Sequence, residues 1–180
     1  MNTEFLNTYG ATHIYEFASQ PERCLLGAAP TIRQATINYG FDTLVHLLCD
    51  IFKVIETCSS ARRPLSEHTR RNICSSIIIR HPHMKVPALH MFAVRVMAGE
   101  FGKFYDRLDG IEIATMFNEF AQVVHEEANE YRLRARDREL DQQRAEQDAA
   151  WRRAWLEAHP EFGRIRKTKD HEEATSTHII

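Results

Sequence analysis

The stretch of sequence that decides the fold is DTLVHLLCDIFKVIET, residues 42–57. Large apolar residues recur in it at steps of three and four, which is the spacing of one helical face. These residues are Leu44, Leu48, Ile51, Phe52 and Ile55, with Val45, Leu47 and Val54 beside them. A helix that is apolar over so much of its circumference is expected at the centre of a fold.

The segments before this helix also carry helix signals. Ser19 followed by Pro21 and Glu22 has the spacing of a capping box, so we expect a helix to begin there. A second helix is predicted to begin at Pro30 and to end at Gly40.

Two more helices are predicted after the central one. Ser66 can cap a helix that runs to residue 81, with Arg70 and Arg71 on its outer face. Pro82 and Pro87 interrupt the helical pattern, and Pro87 begins the next helix. The β-branched triplet 77–79 could also be a strand, but its helical continuation from the Ser66 cap favours a helix.

The longest predicted helix begins after a second capping pair, Asp109 and Glu112. No proline or glycine interrupts the chain from Ile111 to His159, so one helix to about residue 157 is expected. Its second half has few large apolar residues and many opposite charges at helical spacing, as in a solvated helix.

Together these patterns predict an all-α protein without a sheet. We expect a compact multi-helix body over residues 1–131, an extended charged helix over 132–158, and a loose tail over 159–180. The body is long enough to bury a substantial core without metal or disulfide support.

Composition narrows the class of protein further. No run approaches the roughly 18 apolar residues that span a bilayer, and no basic stretch precedes an apolar block at the N-terminus. The four cysteines are scattered without a C-x-x-C pair and are expected to be reduced thiols, mostly buried. We therefore expect a cytoplasmic protein with no membrane contact.

Charge is unevenly distributed along a chain whose net charge is −2. The formal charge is −3 over residues 1–60, +6 over 61–108 and −5 over 109–180. A positive middle in a slightly acidic chain indicates an anionic partner such as nucleic acid. Its candidate contact residues are Arg70, Arg71, Lys85, Lys103, Tyr105 and Arg107.

The segment AGEFGKFYDRLDG, residues 98–110, invites three interpretations. A phosphate-binding P-loop needs a preceding strand, four residues between its glycines and a hydroxyl after the lysine, all of which are missing here. A G-x-x-G loop of the KH-domain type needs an accompanying sheet, which this sequence does not predict. The pattern favours a helix corner that is stopped by Gly99 or Gly102 and filled by aromatic rings.

That corner interpretation leaves a surface role open. Lys103, Tyr105 and Arg107 could still contact nucleic acid, since aromatic rings beside cations stack on bases while the cations meet phosphates. The two helices around Pro82 and Pro87 also resemble a helix-turn-helix in outline, although their connection is longer than usual.

Two tryptophans mark a second candidate surface. Trp151 and Trp155 are four residues apart on an otherwise polar helix and share one face. Large aromatic rings on such a helix need a covering partner, which can be the body of the protein, a second copy or another protein.

No pattern typical of an enzyme or a metal site is present. His81, His83 and His90 lie close in sequence, but without the cysteine or carboxylate spacing of zinc sites. No G-x-S-x-G or reactive cysteine motif occurs. We expect no catalytic residue, no metal and no cofactor.

The stretch from Ser66 to Tyr131 resembles a family of uncharacterised proteins from Bacteroidetes genomes, phages and mobile elements. That family has a lysine-led helix with a phenylalanine, then G-x-[YF]-G and an aromatic-rich segment with an aspartate. The corresponding residues here are KVPALHMFAVRVMAGEFGKFYDRLDG, with Phe101 at the aromatic position and no glutamate shortly after Lys85. The resemblance covers the middle third of the chain and implies an accessory role near replication or DNA handling.

The sequence thus leaves two functions open. The first is a non-enzymatic accessory or adaptor protein that contacts DNA or RNA through its basic middle region. The second is a protein-binding or self-associating helical module that uses Trp151 and Trp155.

Overall fold

The computed structural model describes residues 3–58, 63–102 and 109–162, and it confirms the all-α fold class. The helices in these ranges are α1 (Thr3–Tyr9), α2 (Ile14–Ala18), α3 (Pro21–Leu26), α4 (Ile32–Tyr39), α5 (Phe41–Cys58), α6 (Glu67–Arg80), α7 (Ala88–Met97) and α8 (Gly110–Ala158). Within the described residues, the only β-type pairing between two described partners is one isolated bridge, from Thr31 to Lys85.

Helix α5 is the central element, as its sequence predicts. Leu44, Leu48 and Ile51 are completely buried, and α5 packs against α4, α6 and α7. A cluster of phenylalanines joins α7 to the start of α8. The ring of Phe92 lies 4.8 Å from that of Phe117 and 5.4 Å from that of Phe120. These contacts place one apolar core beneath the helices that carry the candidate site.

The chain divides into two units, Met1–Arg132 and Leu133–Ile180, with helix α8 contributing to both. Helix α8 is continuous to Ala158, which is the end of the charged helix expected over 132–158. The side chains of its second half are almost all exposed. The tail that we predict for 159–180 lies outside the described residues from 163 onward.

Most predicted helix starts are confirmed, including that of α3 at Pro21, but one predicted N-cap is wrong. The Ser66 hydroxyl accepts from the Thr69 amide, and the Asp109 carboxylate accepts from the Ile111 amide. Ser19 is not an N-cap: its hydroxyl donates to the carbonyl of Glu16, at the end of α2. Helix α3 follows Gln20 without a side-chain cap, because the preceding short helix uses the serine instead.

The corner after α7 has the predicted backbone. Gly99 and Gly102 have φ angles of 80° and 108°, a region that glycine adopts without strain. The ring of Phe101 lies 6.2 Å from Phe92 and 6.3 Å from Phe120, so this aromatic packs on the core as expected. Residues 103–108, with the predicted contacts Lys103, Tyr105 and Arg107, lie outside the described residues.

Candidate functional site

The connector between α6 and α7, residues 81–87, is held by backbone hydrogen bonds to the start of α4. The amides of Ile32 and Arg33 donate to the carbonyls of Met84 and Pro82 at 2.8 and 2.9 Å. These amides belong to the first turn of a helix, where no intrahelical acceptor exists. The connector therefore completes the N-terminus of α4, and α4 in turn fixes the shape of the connector.

Three further interactions fix the same junction. The Val86 amide donates to the carbonyl of Pro30 at 3.0 Å, and the ammonium of Lys85 donates to that of Ala29 at 2.7 Å. Thr31 and Gln34 form a reciprocal capping box just before the connector contact. Lys85 is half-buried, so part of its donor capacity is used inside the protein.

His81 joins the connector to α8. Its Nε2 lies 3.2 Å from Oδ1 of Asn118, and its ring packs 5.1 Å from that of Phe117. Burial lowers the pKa of His81, and the neighbouring Arg80 lowers it further, against the opposing effect of the Asn118 hydrogen bond. The imidazole is therefore neutral near pH 7 and serves as a structural link.

A groove of about 800 Å³ lies between this connector, α3 and the first part of α8. Its apolar lining consists of Leu25, Met84, Ala121, Val124 and Ala128. Its polar lining is mostly basic or imidazole in character. These side chains are Arg80, His81, His83, Lys85, His125 and Arg132, together with Asn118, Gln122 and Glu126.

The groove carries more positive than negative charge. Arg80, Lys85 and Arg132 are cations, whereas Glu126 is the one carboxylate among its described lining residues. Arg80 is exposed and forms no ion pair with any described residue. Arg132 donates to the side-chain carbonyl of Asn129 at 2.8 Å, a neutral partner that leaves its charge uncompensated. An anion can approach these cations from solvent.

Arg70 does not face outward, in contrast to the expectation from its helix. Its side chain is only 11% exposed and pairs with Glu56, with Nη2 and Oε2 2.8 Å apart. The same guanidinium donates to the carbonyl of Leu65 at 3.2 Å. Arg70 lies on the α6 side that meets α5, where a carboxylate and a carbonyl satisfy its donors.

Arg71 is exposed, as expected, but it too has a carboxylate partner. It donates to Asp42 at the start of α5. Arg95, another cation of the positive middle, contacts both carboxylate oxygens of Glu127 at 2.8 Å. Three of the nine cations in 61–108 are therefore paired with acids from outside that segment. Of the predicted contact residues that the structure describes, only Lys85 lines the groove.

The two tryptophans lie in the second unit and differ in their surroundings. Trp151 is 66% exposed. The ring of Trp155 stacks on that of His159 at 4.6 Å and lies 5.2 Å from that of Phe162. Trp155 is therefore partly covered by the residues that follow α8, while Trp151 remains uncovered within this unit.

The described residues contain no group of three or more histidine, cysteine, aspartate or glutamate side chains placed to hold a metal ion. His81 and His83 line the groove, but His90 is completely buried in α7 and stacks on Phe17 at 4.9 Å. The three histidines therefore do not converge. Among the same residues, no helix is long and apolar enough to cross a bilayer.

Sequence reasoning missed most of the groove. It did not select Arg80, His83, His125 or Arg132 as contact residues, although they are spread over α6, the connector and α8. A weak signal existed, since His125 and Arg132 are seven residues apart and share a helical face. Their proximity to Arg80 depends on tertiary packing, which sequence spacing does not encode.

Comparison with known proteins identifies no relative: no family model matches the chain, and no curated protein or solved structure is similar to it. The resemblance of residues 66–131 to the mobile-element family therefore remains an expectation from the sequence.

Proposed function

We propose that this protein is a non-enzymatic accessory protein that binds the backbone of nucleic acid in the groove between the α6–α7 connector and α8. The observation that carries the proposal is the pair of exposed guanidiniums, Arg80 and Arg132, in one groove with a single opposing carboxylate, Glu126. Guanidinium groups bind phosphate in a bidentate manner and dominate affinity for nucleic-acid backbones.

The other lining residues suit the same ligand. His83 and His125 present exposed imidazole rings beside the cations. Flat rings next to cations stack on unpaired bases while the cations neutralise phosphates. The apolar side chains of Leu25 and Met84 offer contacts to sugars and base faces. Lys103, Tyr105 and Arg107 stay in the proposal as additional contacts, although the structure does not describe them.

The test is a salt titration of binding to short fluorescent DNA and RNA oligonucleotides, followed by anisotropy from about 50 to about 200 mM salt. The full chain is compared with the double variant Arg80→Gln, Arg132→Gln. Two lost phosphate contacts should reduce the slope of log K against log salt by roughly 2. Affinity at low salt should fall at the same time.

A matched variant separates the effect of the groove on binding from the effect of overall charge on binding. Arg152→Gln, Arg153→Gln removes two exposed arginines from the second half of α8 and changes the net charge equally. This variant should bind as the unchanged protein does. Equal losses of affinity in both variants would place the contact outside the groove. No detectable binding by the full chain at about 50 mM salt would exclude nucleic acid as the ligand.

The second candidate function is self-association through the C-terminal helix. The specific observation is the 66% exposure of Trp151 on α8, with Leu156 and Phe162 also 46% and 50% exposed. Multi-angle light scattering of the full chain with Trp151→Glu tests it. A lower mass for this variant supports self-association, whereas Tyr15→Glu, which changes an equally exposed aromatic at 67%, should keep the original mass.

A further inference from the structure

Two cysteines from neighbouring helices lie side by side. Cys49 of α5 and Cys74 of α6 have their sulfur atoms 3.5 Å apart, and both are free thiols. Cys74 is completely buried, whereas Cys49 is half-buried at the edge of the exposed face of α5. Small molecules can therefore reach Cys49 from solvent, and Cys74 lies directly behind it.

The surroundings favour the thiolate form of Cys49. The hydrogen bond between the Cys49 and Cys74 sulfurs lowers the pKa of Cys49 to about 7, against the effect of burial. Arg70 and Arg71, on the facing helix α6, lower it as well, while Asp50 on α5 opposes them. The same interaction, together with burial, raises the pKa of Cys74, so Cys49 is the thiol of the pair that ionises first.

The other two cysteines lack this arrangement. The thiol of Cys24 donates to the carbonyl of Phe17 at 2.9 Å, and burial raises its pKa to about 11. Cys58 is exposed at the end of α5, and no described thiol lies within hydrogen-bonding distance of it. Thiolate character, access and a second thiol in reach occur together only at Cys49 among the described residues.

We propose that Cys49 and Cys74 form an oxidisable dithiol site, in which a hydroperoxide oxidises Cys49 and Cys74 then closes an intramolecular disulfide between α5 and α6. The proposal depends on the sulfur–sulfur distance and on the half-buried position of Cys49. It is independent of nucleic-acid binding in the groove.

The hydroperoxide is the only oxidant that this reaction needs. The Cys49 thiolate attacks one peroxide oxygen, so that an S–O bond forms, the O–O bond breaks and hydroxide leaves to take up a proton. The Cys74 sulfur then attacks the sulfenic sulfur, an S–S bond forms and the S–O bond breaks, with water leaving. In total the two thiols lose two protons and two electrons, the Cys74 proton leaves with the sulfenic hydroxyl as water, and one hydrogen peroxide becomes two waters.

The fold allows this step with limited movement. The sulfurs must approach from 3.5 Å to the disulfide bond length of about 2.05 Å. Helices α5 and α6 are already packed against each other, and the two residues belong to their middle turns. The sulfurs therefore need to move about 1.5 Å closer for the bond to form.

Peptide mapping of the full chain tests the proposal directly, because trypsin places each cysteine in a separate peptide. Cys49 falls in peptide 34–53, Cys74 in 72–80, Cys24 in 24–33 and Cys58 in 54–62. The reduced protein is treated with a small excess of hydrogen peroxide, alkylated and digested without reductant. The expected product joins 34–53 to 72–80 and lacks the mass of two hydrogen atoms.

Variants separate this pair from random oxidation. Cys24→Ser, Cys58→Ser retains the pair and should give the same cross-linked peptide in the same yield. Cys49→Ala should abolish it, and Cys74→Ala should replace it with sulfenic acid on Cys49, which a dimedone probe captures. Circular dichroism confirms that each variant is folded.

Other products would overturn the proposal. Cross-links that involve Cys24 or Cys58 at equal yield would show that the pair is not selective. If Cys49 is still a free thiol after Cys58 has been oxidised, the peroxide does not reach Cys49. Stable sulfinic acid on Cys49 without a disulfide would show that Cys74 does not close the bond.

Discussion

The arginines of the α5–α6 face and those of the groove have opposite electrostatic surroundings. On the α5–α6 face, Arg70 pairs with Glu56 and Arg71 with Asp42. In the groove, Arg80 has no carboxylate partner among the described residues, and Arg132 has only the amide of Asn129. All four lie on helices, and their local sequence does not indicate which of them has a carboxylate partner.

The difference teaches that a cation's role follows from its counter-ion. A paired arginine stabilises the fold and is largely neutralised toward solvent, whereas an unpaired one keeps a long-range field for a ligand. The α5–α6 face should therefore respond to mutation in stability, and the groove in binding. Four predictions, in decreasing order of effect on stability, test this division.

The largest effect is expected from Glu56→Ala. Glu56 and Arg70 are 10% and 11% exposed, so removal of the carboxylate leaves a buried guanidinium without its counter-ion. The loss should be about 3–5 kcal/mol in the free energy of unfolding. Urea denaturation followed by circular dichroism measures it.

The matched variant Glu56→Gln keeps an acceptor for Arg70 and for the Leu65 amide but removes the charge. Its loss of stability should be smaller than that of Glu56→Ala. A loss below 1 kcal/mol for Glu56→Ala would contradict the view that this ion pair holds α5 and α6 together.

The next effect concerns His90, which contrasts with the exposed imidazoles of the groove. It is completely buried, and neither ring nitrogen forms a hydrogen bond of good geometry with a described residue, although the Tyr9 backbone lies close enough to affect its pKa. Burial lowers its pKa to about 4; nearby His13 lowers it further, and the backbone of Tyr9 offsets the effect in part. Since the unfolded value is near 6.5, the unfolded chain binds more protons between these two values.

Stability should therefore fall as pH decreases from about 6.5 to about 4, and the contribution of His90 should amount to roughly 2–3 kcal/mol. His90→Phe keeps a flat ring against Phe17 and should be neutral or stabilising at pH 7.5. The measurement is the difference in unfolding free energy between the two proteins at pH 7.5 and 4.5. A pH-independent difference would show that His90 does not titrate in this way.

A small effect is expected from Asp42→Ala. Asp42 is 83% exposed and Arg71 57%, so solvent screens their ion pair. The cost should be about 0.2–1 kcal/mol, and it should shrink further in high salt. The same denaturation experiment gives this value beside that of Glu56→Ala. A cost equal to that of Glu56→Ala would erase the distinction between buried and exposed pairs on this face.

The smallest effect on stability is expected from the groove variant Arg80→Gln, Arg132→Gln. Both residues are exposed and have no carboxylate partner in the described structure, so stability should change by less than about 0.5 kcal/mol. Thermal unfolding of the same samples used for binding measures this. A large loss of stability would assign these arginines to the fold and would make a binding defect uninformative.

The helices were predictable because their signals are local. Apolar spacing identified α5, the Ser66 cap fixed the start of α6, and positive φ at Gly99 and Gly102 agreed with the corner. The N-cap of α3 was not predictable in this way, although the helix does begin at Pro21. Ser19 has the sequence of a cap but bonds back to Glu16, and this competition between two local structures is invisible in spacing.

The candidate site was much less predictable, for a physical reason. Charge counting located a positive segment, but the counter-ions of Arg70, Arg71 and Arg95 come from residues 14 to 32 positions away. Lys85 was found because it lies in the segment that forms the groove. Arg132 was not found, since its place beside Arg80 arises only when α8 packs against the connector.

The attachment of the connector to α4 has a consequence for how this surface can vary. The groove's rim is shaped by main-chain bonds, such as those from the Ile32 and Arg33 amides to Met84 and Pro82. Main-chain bonds do not depend on which side chain a residue carries. Residues such as His83 can therefore be exchanged while these main-chain bonds, and with them the form of the rim, are kept.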